Sequence, residues 1–443
     1  MQVINFFLLF LVFFVVLSSK QENVYSDPSV DELARHAGYY TLEHSKPARM
    51  FYFFFESKNN VTDPVVLWLT GGPGCSGSLA LFTENGPFAI SENLSLSWNP
   101  YSWDKVSNII YVDQPVGTGF SNMSDTSLLR HNETGVSNDL YDFLQAFFKE
   151  HPQLGKNDFY ITGESYAGHY IPALASRIRS GNKKKEGIPI NLKGLAIGNG
   201  MTNPEIQYGA YADYALEMKL ISQSDHESLN QVYVDCQSSI RICNRDGGSA
   251  CNSSLYICEQ IPDQICLENK DMNYYDVRKI CVGPQCYDNS NVEKFLNQEN
   301  VRKVLGVGEN KWELCTGNVH EAMTEDVMIN LEVKIPSLVE DGINLLVYAG
   351  EYDFICNWLG NSRWVEQMNW SGQKDFGSAK TVPFLVDGKE AGLMKNHGPL
   401  TFLKVHDAGH LVPMDQPKAS LQMLKNWIQG QLVTPNNAMI VRQ

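Results

Sequence analysis

Short, unbroken apolar runs alternate with segments whose apolar residues recur every three or four positions. Runs at 49–55, 65–69, 108–112, 159–162 and 192–197 are rich in Val, Ile, Leu, Phe and Tyr, which predicts strands. Segments 135–150 and 166–179 have helical spacing and predict helices. That alternation predicts an α/β class, a mostly parallel sheet with helices on both faces. Turn chemistry at Ser57-Lys58-Asn59-Asn60 predicts that the runs 49–55 and 65–69 form an antiparallel hairpin. From 201 to 334 the texture changes to helical patterns, cysteines and polar loops, the expected mark of an insertion over the sheet. Alternation resumes with a strand at 344–349, a helix at 356–368, a strand at 401–405 and a helix at 416–429. The expected organisation is a core from 30–200 and 335–432 with a cap subdomain at 201–334. The tail after Leu432 is read as frayed or trimmed.

An apolar run at 6–17, followed by Ser18-Ser19-Lys20, predicts a cleaved signal peptide over 1–20. It is too short to span a bilayer and no second run follows, so no stable membrane anchor is expected. Six N-x-S/T sequons, at Asn60, Asn93, Asn122, Asn132, Asn252 and Asn369, fit a glycoprotein of the secretory pathway. In that setting most of the ten cysteines are expected to pair. Nested loops would join Cys236 with Cys258, Cys243 with Cys251 and Cys281 with Cys286. Cys75 with Cys315 would tie two distant segments, leaving Cys266 and Cys356 free. Spacing alone does not decide among connectivities. No cysteine stands in C-x-x-C spacing with a histidine nearby, so no metal is expected. The length of 443 residues, 43% of them hydrophobic, suffices for one elaborated domain. A net charge of −15 without a basic patch argues against nucleic acid as a partner.

The chemistry centres on Gly163-Glu164-Ser165-Tyr166-Ala167-Gly168, placed between a predicted strand and a predicted helix. A serine among small residues at such a turn is the nucleophile elbow of an α/β-hydrolase fold. Ala167 stands where glycine is usual, and the competing reading is a helix N-cap serine. An activated serine needs a base, and the base needs an orienting acid, in the chain order serine, acid, histidine. Asp353 follows the strand 344–349 and is the candidate acid; its other reading is a helix cap. His410 lies in a glycine-containing loop after the strand 401–405 and is the candidate base, with His406 and Asp407 as rivals. The loop Thr70-Gly71-Gly72-Pro73-Gly74-Cys75-Ser76 follows a strand directly. Its Gly72 N–H, together with Tyr166 N–H, is the candidate oxyanion hole. A phosphate loop would need the lysine that is missing here.

These motifs, with His36-Ala37-Gly38-Tyr39-Tyr40, Asp113-Gln114-Pro115, Gly117-Thr118-Gly119-Phe120-Ser121, Gly350-Glu351-Tyr352-Asp353 and Ala408-Gly409-His410-Leu411-Val412-Pro413, resemble the serine carboxypeptidases. The likeness is to the plant type-III, carboxypeptidase-Y-like branch, and it runs from about Val30 to Gly430. The resemblance implies Ser165 as nucleophile, His410 as base, Asp353 as its orienter, and Gly72 and Tyr166 as oxyanion donors. It further implies a site for the substrate's terminal carboxylate at Thr70, Gly71, Glu84 and Glu164. Two acids facing an anion require that at least one keep its proton, so an acidic optimum is expected. The implied activity is release of C-terminal amino acids from peptides and proteins without a cofactor, in the vacuole or else outside the cell. Threonine at 70, where many members have asparagine, is usual in that branch. Gly77-Ser78 and Leu411 depart from commoner residues, and the branch's long propeptide is expected to be absent. Two other functions compete: acyl transfer from glucose esters, and non-catalytic binding or chaperoning on the same fold.

Overall fold

The computed structural model describes residues 27–283 and 285–432. The expected signal peptide and the tail after Leu432 lie outside the described residues. Twelve strands are present among the described residues: β1 (Ala37–Thr41), β2 (Arg49–Phe55), β3 (Val65–Leu69), β4 (Phe88–Ile90), β5 (Leu96–Trp98), β6 (Asn108–Val112), β7 (Phe159–Glu164), β8 (Leu192–Gly198), β9 (Asn344–Gly350), β10 (Val382–Val386), β11 (Lys389–His397) and β12 (Leu400–Val405). Ten of them form one sheet in the order β1-β2-β6-β3-β7-β8-β9-β12-β11-β10, while β4 and β5 pair separately. The strands from β6 through β12 in that order run parallel, and antiparallel strands close both edges.

The unbroken apolar runs reflect burial on both faces of this sheet. Alternate residues part to opposite sides. Val65, Leu67 and Leu69 of β3 join one core with Leu140, Phe143, Ile171 and Leu174 from the helices Glu133–Glu150 and Ala167–Lys184. Val66 and Trp68 join another with Leu81, Met423 and Trp427 from the helices Gly77–Thr83 and Pro417–Ile428. This is the α/β-hydrolase fold.

The predicted hairpin of β2 with β3 does not form. β6 lies between them, antiparallel to β2 and parallel to β3. The turn residues instead build a self-bonded loop, in which Asp63 accepts hydrogen bonds from Ser57 Oγ and Asn59 Nδ2. The hairpin partner of β2 is β1, an edge strand too short and mixed to stand out in the sequence. At the opposite side of the sheet the edge strand β10 and its neighbour β11 are missing from the sequence expectations for a similar reason: their alternation is weak and antiparallel pairing carries them.

Between β8 and β9 every regular element among the described residues is helical. The two longest helices, Gln223–Asp246 and Ser249–Glu268, are joined by Gly247 and Gly248. Their φ values of 69° and 57° lie in the region that side chains disfavour, so glycine permits the tight reversal. Cys236–Cys258 and Cys243–Cys251 staple the pair, and the helices bury a third apolar core with Leu229, Ile240 and Ile261. Cys281–Cys286 closes a small loop and Cys75–Cys315 ties the loop after β3 to the helical segment, while Cys266 and Cys356 are free. Asn60, Asn93, Asn132, Asn252 and Asn369 are exposed, whereas Asn122 is half-buried and bridges to Arg49. No helix among the described residues is long and apolar enough to cross a membrane.

Candidate active site

Ser165 stands between β7 and the helix Ala167–Lys184 with φ at 65°, an unusual conformation for a side chain-bearing residue. Its amide donates to Gly198 O (3.0 Å), and its carbonyl accepts from Gly168 N and Met201 N, both at 3.0 Å. The elbow leaves no room at position 163. A Cβ there would lie 2.2 Å from Leu69 O and 2.7 Å from Ala167 Cβ. Gly163→Ala is expected to lower stability by about 2 kcal/mol or more, because the obstacle is backbone. A thermal melt against the parent checks it, and an unchanged midpoint would contradict this packing.

His410 and Asp353 meet as an Nδ1–Oδ2 pair at 2.8 Å, both buried. Asp353 accepts three further hydrogen bonds: from Asn199 Nδ2 (2.7 Å), Ile355 N (3.1 Å) and Cys356 N (3.2 Å). Asn357, not Asp353, caps the helix Trp358–Gln367. The rivals of His410 sit elsewhere. His406 lies between Glu351 (3.2 Å) and Glu390 (3.1 Å), and Asp407 is exposed.

Three contributors went unnoticed in the sequence. Asn199, at the end of β8, also accepts from Gly350 N (3.1 Å) and so fixes the acid loop to its neighbour strand. The dipeptide Tyr274-Tyr275, from the helical segment, reaches both halves of the pair. Tyr274 O accepts from Phe354 N and Ile355 N, each at 3.2 Å, and Tyr275 O from His410 N at 2.7 Å. Cys356 is buried, with ligand-type atoms of Asp353, Cys356 and His410 all within 4.8 Å of one another. Burial pushes its thiol well above the ordinary range, which keeps it protonated and unreactive. No sequence signal marked these residues beyond the place of Asn199 and Cys356 shortly after strand ends.

Ser165 and His410 line one cavity of about 600 Å³ together with Thr70, Gly71, Gly72 and Tyr166. The loop after β3 presses on the elbow: a Cβ on Gly71 would stand 2.4 Å from Tyr166 N. Trp68 Nε1 donates to Thr70 Oγ1 (3.1 Å), which leaves the threonine O–H to donate elsewhere. Glu164 also lines the cavity; Glu84 does not, and stands against Glu164 instead. Glu84 itself is buried. It caps the end of the helix Gly77–Thr83 and is 3% exposed.

Apart from each other's carboxyl, Glu84 Oε1, Glu84 Oε2 and Glu164 Oε2 meet no hydrogen-bonding group of the protein among the described residues. The two carboxyls bond each other, which requires a shared proton. Burial pushes Glu84 up to about 8 from an ordinary 4.5. Glu164 is held well above the usual range by burial first and then by the charge of Glu84. The pair therefore presents a carboxyl O–H, a donor, at neutral and acidic pH.

A sequence model of the serine carboxypeptidase family matches residues 27–430. Serine carboxypeptidase-like 47 of Arabidopsis thaliana is 71% identical over 95% of this chain and 83% of its own. Serine carboxypeptidase 3 of Oryza sativa subsp. japonica is 60% identical over 91% of this chain and 81% of its own. Among solved structures, a prohormone-processing carboxypeptidase from Saccharomyces cerevisiae superposes with a TM-score of 0.81 at 29% identity. That match covers 89% of this chain and 91% of the other.

Proposed function

The chain belongs to the serine carboxypeptidase family of hydrolases, and from that premise we propose that it releases C-terminal amino acids from peptides at acidic pH through an acyl-enzyme on Ser165. The observation that carries this reading is the proton-sharing pair of Glu84 and Glu164 next to the serine. An enzyme that cuts mid-chain or cleaves simple esters has no use for a neutral acid there. A substrate ending in a carboxylate does, because the carboxyl O–H and the Thr70 O–H can both donate to it.

In this mechanism Ser165 Oγ attacks the carbonyl of the last peptide bond while His410 Nε2 takes its proton. Asp353 holds the imidazole through Nδ1 and balances the imidazolium. Gly72 and Tyr166 N–H groups receive the charge that develops on the carbonyl oxygen. The C–N bond then breaks, and His410 returns the proton to the departing amine. Water, deprotonated by His410, attacks the acyl carbonyl and frees Ser165. The helical segment 201–334 serves as a cap over the cavity, and the setting we propose is the secretory pathway, with the vacuole as destination.

The pH dependence follows from the acid pair. Below about 8 Glu84 keeps its proton and the pair donates to the substrate carboxylate. Raising the pH through that value ionises Glu84, turns the Glu164 proton toward it and sets charge against charge, so KM rises for a blocked dipeptide. KM for its C-terminal amide, which lacks the anion, is expected to change little. The same shift affects folding. Between 4.5, where the unfolded chain loses this proton, and about 8, where the native state does, stability falls as pH rises. Initial rates on the acid and amide substrates from pH 4 to 9 (about 5 units) test the proposal, with an acyl-glucose donor alongside. Parallel pH profiles for acid and amide would reject the carboxylate site; faster turnover of the acyl-glucose would reassign the chain to acyl transfer.

A further inference from the structure

Tyr166 carries more than a backbone donor. It is 4% exposed, its ring stacks on His169 at 4.5 Å and meets Tyr170 edge-on at 5.2 Å. Its hydroxyl donates to Asp326 Oδ2 at 2.9 Å. Asp326 is itself buried and belongs to the helical segment between β8 and β9, 160 residues further along the chain. Its other oxygen accepts from Glu133 N at 3.1 Å. Glu133 opens the 18-residue helix Glu133–Glu150, so the carboxylate sits at the positive end of a long helix. Thr324 and Val327, on either side of Asp326, line the cavity that contains Ser165.

We propose that Asp326 is a positioning residue that aims the Tyr166 N–H at the oxyanion by holding the far end of the Tyr166 side chain. The inference rests on Ser165 being the nucleophile. The physical need is plain. Residue 166 follows a serine with φ at 65° and begins the helix Ala167–Lys184 without a side-chain cap bond at that position. Its N–H must point out of the turn toward the cavity rather than relax into the helix, and small errors of aim are costly in a transition state. Anchoring the ring at its hydroxyl turns Tyr166 into a lever fixed at both ends. Glu133 stays compatible with the anion beside it. Both its oxygens lack a protein donor among the described residues, and burial followed by the Asp326 charge holds its carboxyl well above the usual range. As a neutral acid it adds no like charge. The cap segment thereby contributes to the catalytic step itself and does more than roof the cavity.

The test compares Tyr166→Phe, Asp326→Ala and the double variant with the parent, each normalised to sites titrated by a fluorophosphonate. Tyr166→Phe keeps the ring and the backbone N–H, so it preserves packing if Asp326→Ala does not fold. Each single variant is expected to lose about ten-fold in kcat with KM within about two-fold, less than the ~10²–10³ of deleting a donor outright. A blocked amino aldehyde, which forms a tetrahedral adduct with the serine, is expected to bind about ten-fold more weakly to each. Benzylsuccinate, which makes no such adduct, is expected to bind unchanged. The double variant is expected to be no worse than the singles, as for two ends of one bond. Unchanged aldehyde binding in the singles, or losses that multiply in the double, would overturn the proposal while leaving the nucleophile reading intact. A parent that fails to react with the fluorophosphonate would remove the nucleophile reading and this inference with it.

Discussion

Ser165→Ala is expected to lower kcat for a blocked dipeptide by about 10⁶-fold, while KM changes little. In the proposed mechanism the serine hydroxyl forms the acyl bond, and the two free cysteines that line the same cavity, Cys266 and Cys356, are both pushed above the ordinary thiol range by burial. Cys356 is buried and its thiol is pushed far from thiolate formation, so it offers no substitute. Binding is expected to survive because Thr70, Gly71, Glu84 and Glu164 are untouched. A residual rate above that of water is expected from the oxyanion donors alone. The decisive measurement is single-turnover release of the terminal amino acid at acidic pH, with fluorophosphonate labelling in parallel. Release within about ten-fold of the parent would remove Ser165 from the mechanism.

Asp353→Asn is expected to cost about 10⁴-fold in kcat, again with a small change in KM. All four groups around the carboxylate are donors: His410 Nδ1, Asn199 Nδ2, Ile355 N and Cys356 N. An acceptor-only side chain suits that setting. An amide must turn its NH₂ toward at least one of them, whichever way it is placed. If it faces His410, the ring carries its proton on the wrong nitrogen and cannot accept from Ser165. If it faces Ile355, the bond to His410 survives but the buried counter-charge for the imidazolium is gone. Rates per labelled site across pH check this. A loss of less than about ten-fold would mean that His410 is oriented by something other than Asp353.

Much of this architecture was legible before folding was considered. The runs that became β2, β3, β6, β7, β8, β9 and β12 announced themselves by unbroken apolar composition, since both sheet faces are covered. The elbow was legible because its geometry restricts residue types locally: a Cβ on Gly163 would meet Leu69 O at 2.2 Å and Ala167 Cβ at 2.7 Å. The helical stretch between β8 and β9 was visible through its change of pattern. The outer strands β1, β10 and β11 were not, because they owe their form to a partner more than to their own pattern. The mistaken hairpin has the same origin. Turn residues after β2 looked sufficient for a reversal, yet β6 competed for the place beside it and won with its own apolar run.

By itself the sequence determined the types of most core elements, the order in which the proposed serine, acid and histidine stand, and the small residues on which the elbow closes. These depend on sterics and periodicity that act over a few neighbouring residues. Tertiary structure alone decided that Asn199 and the Tyr274-Tyr275 carbonyls brace the acid–histidine pair, that Asp326 reaches Tyr166, and that Glu84 stands behind Glu164 and not in the cavity itself. Those properties arise when groups distant along the chain are brought together and stripped of water. Desolvation and Coulomb interaction depend on what surrounds a residue in space, and no local pattern encodes that.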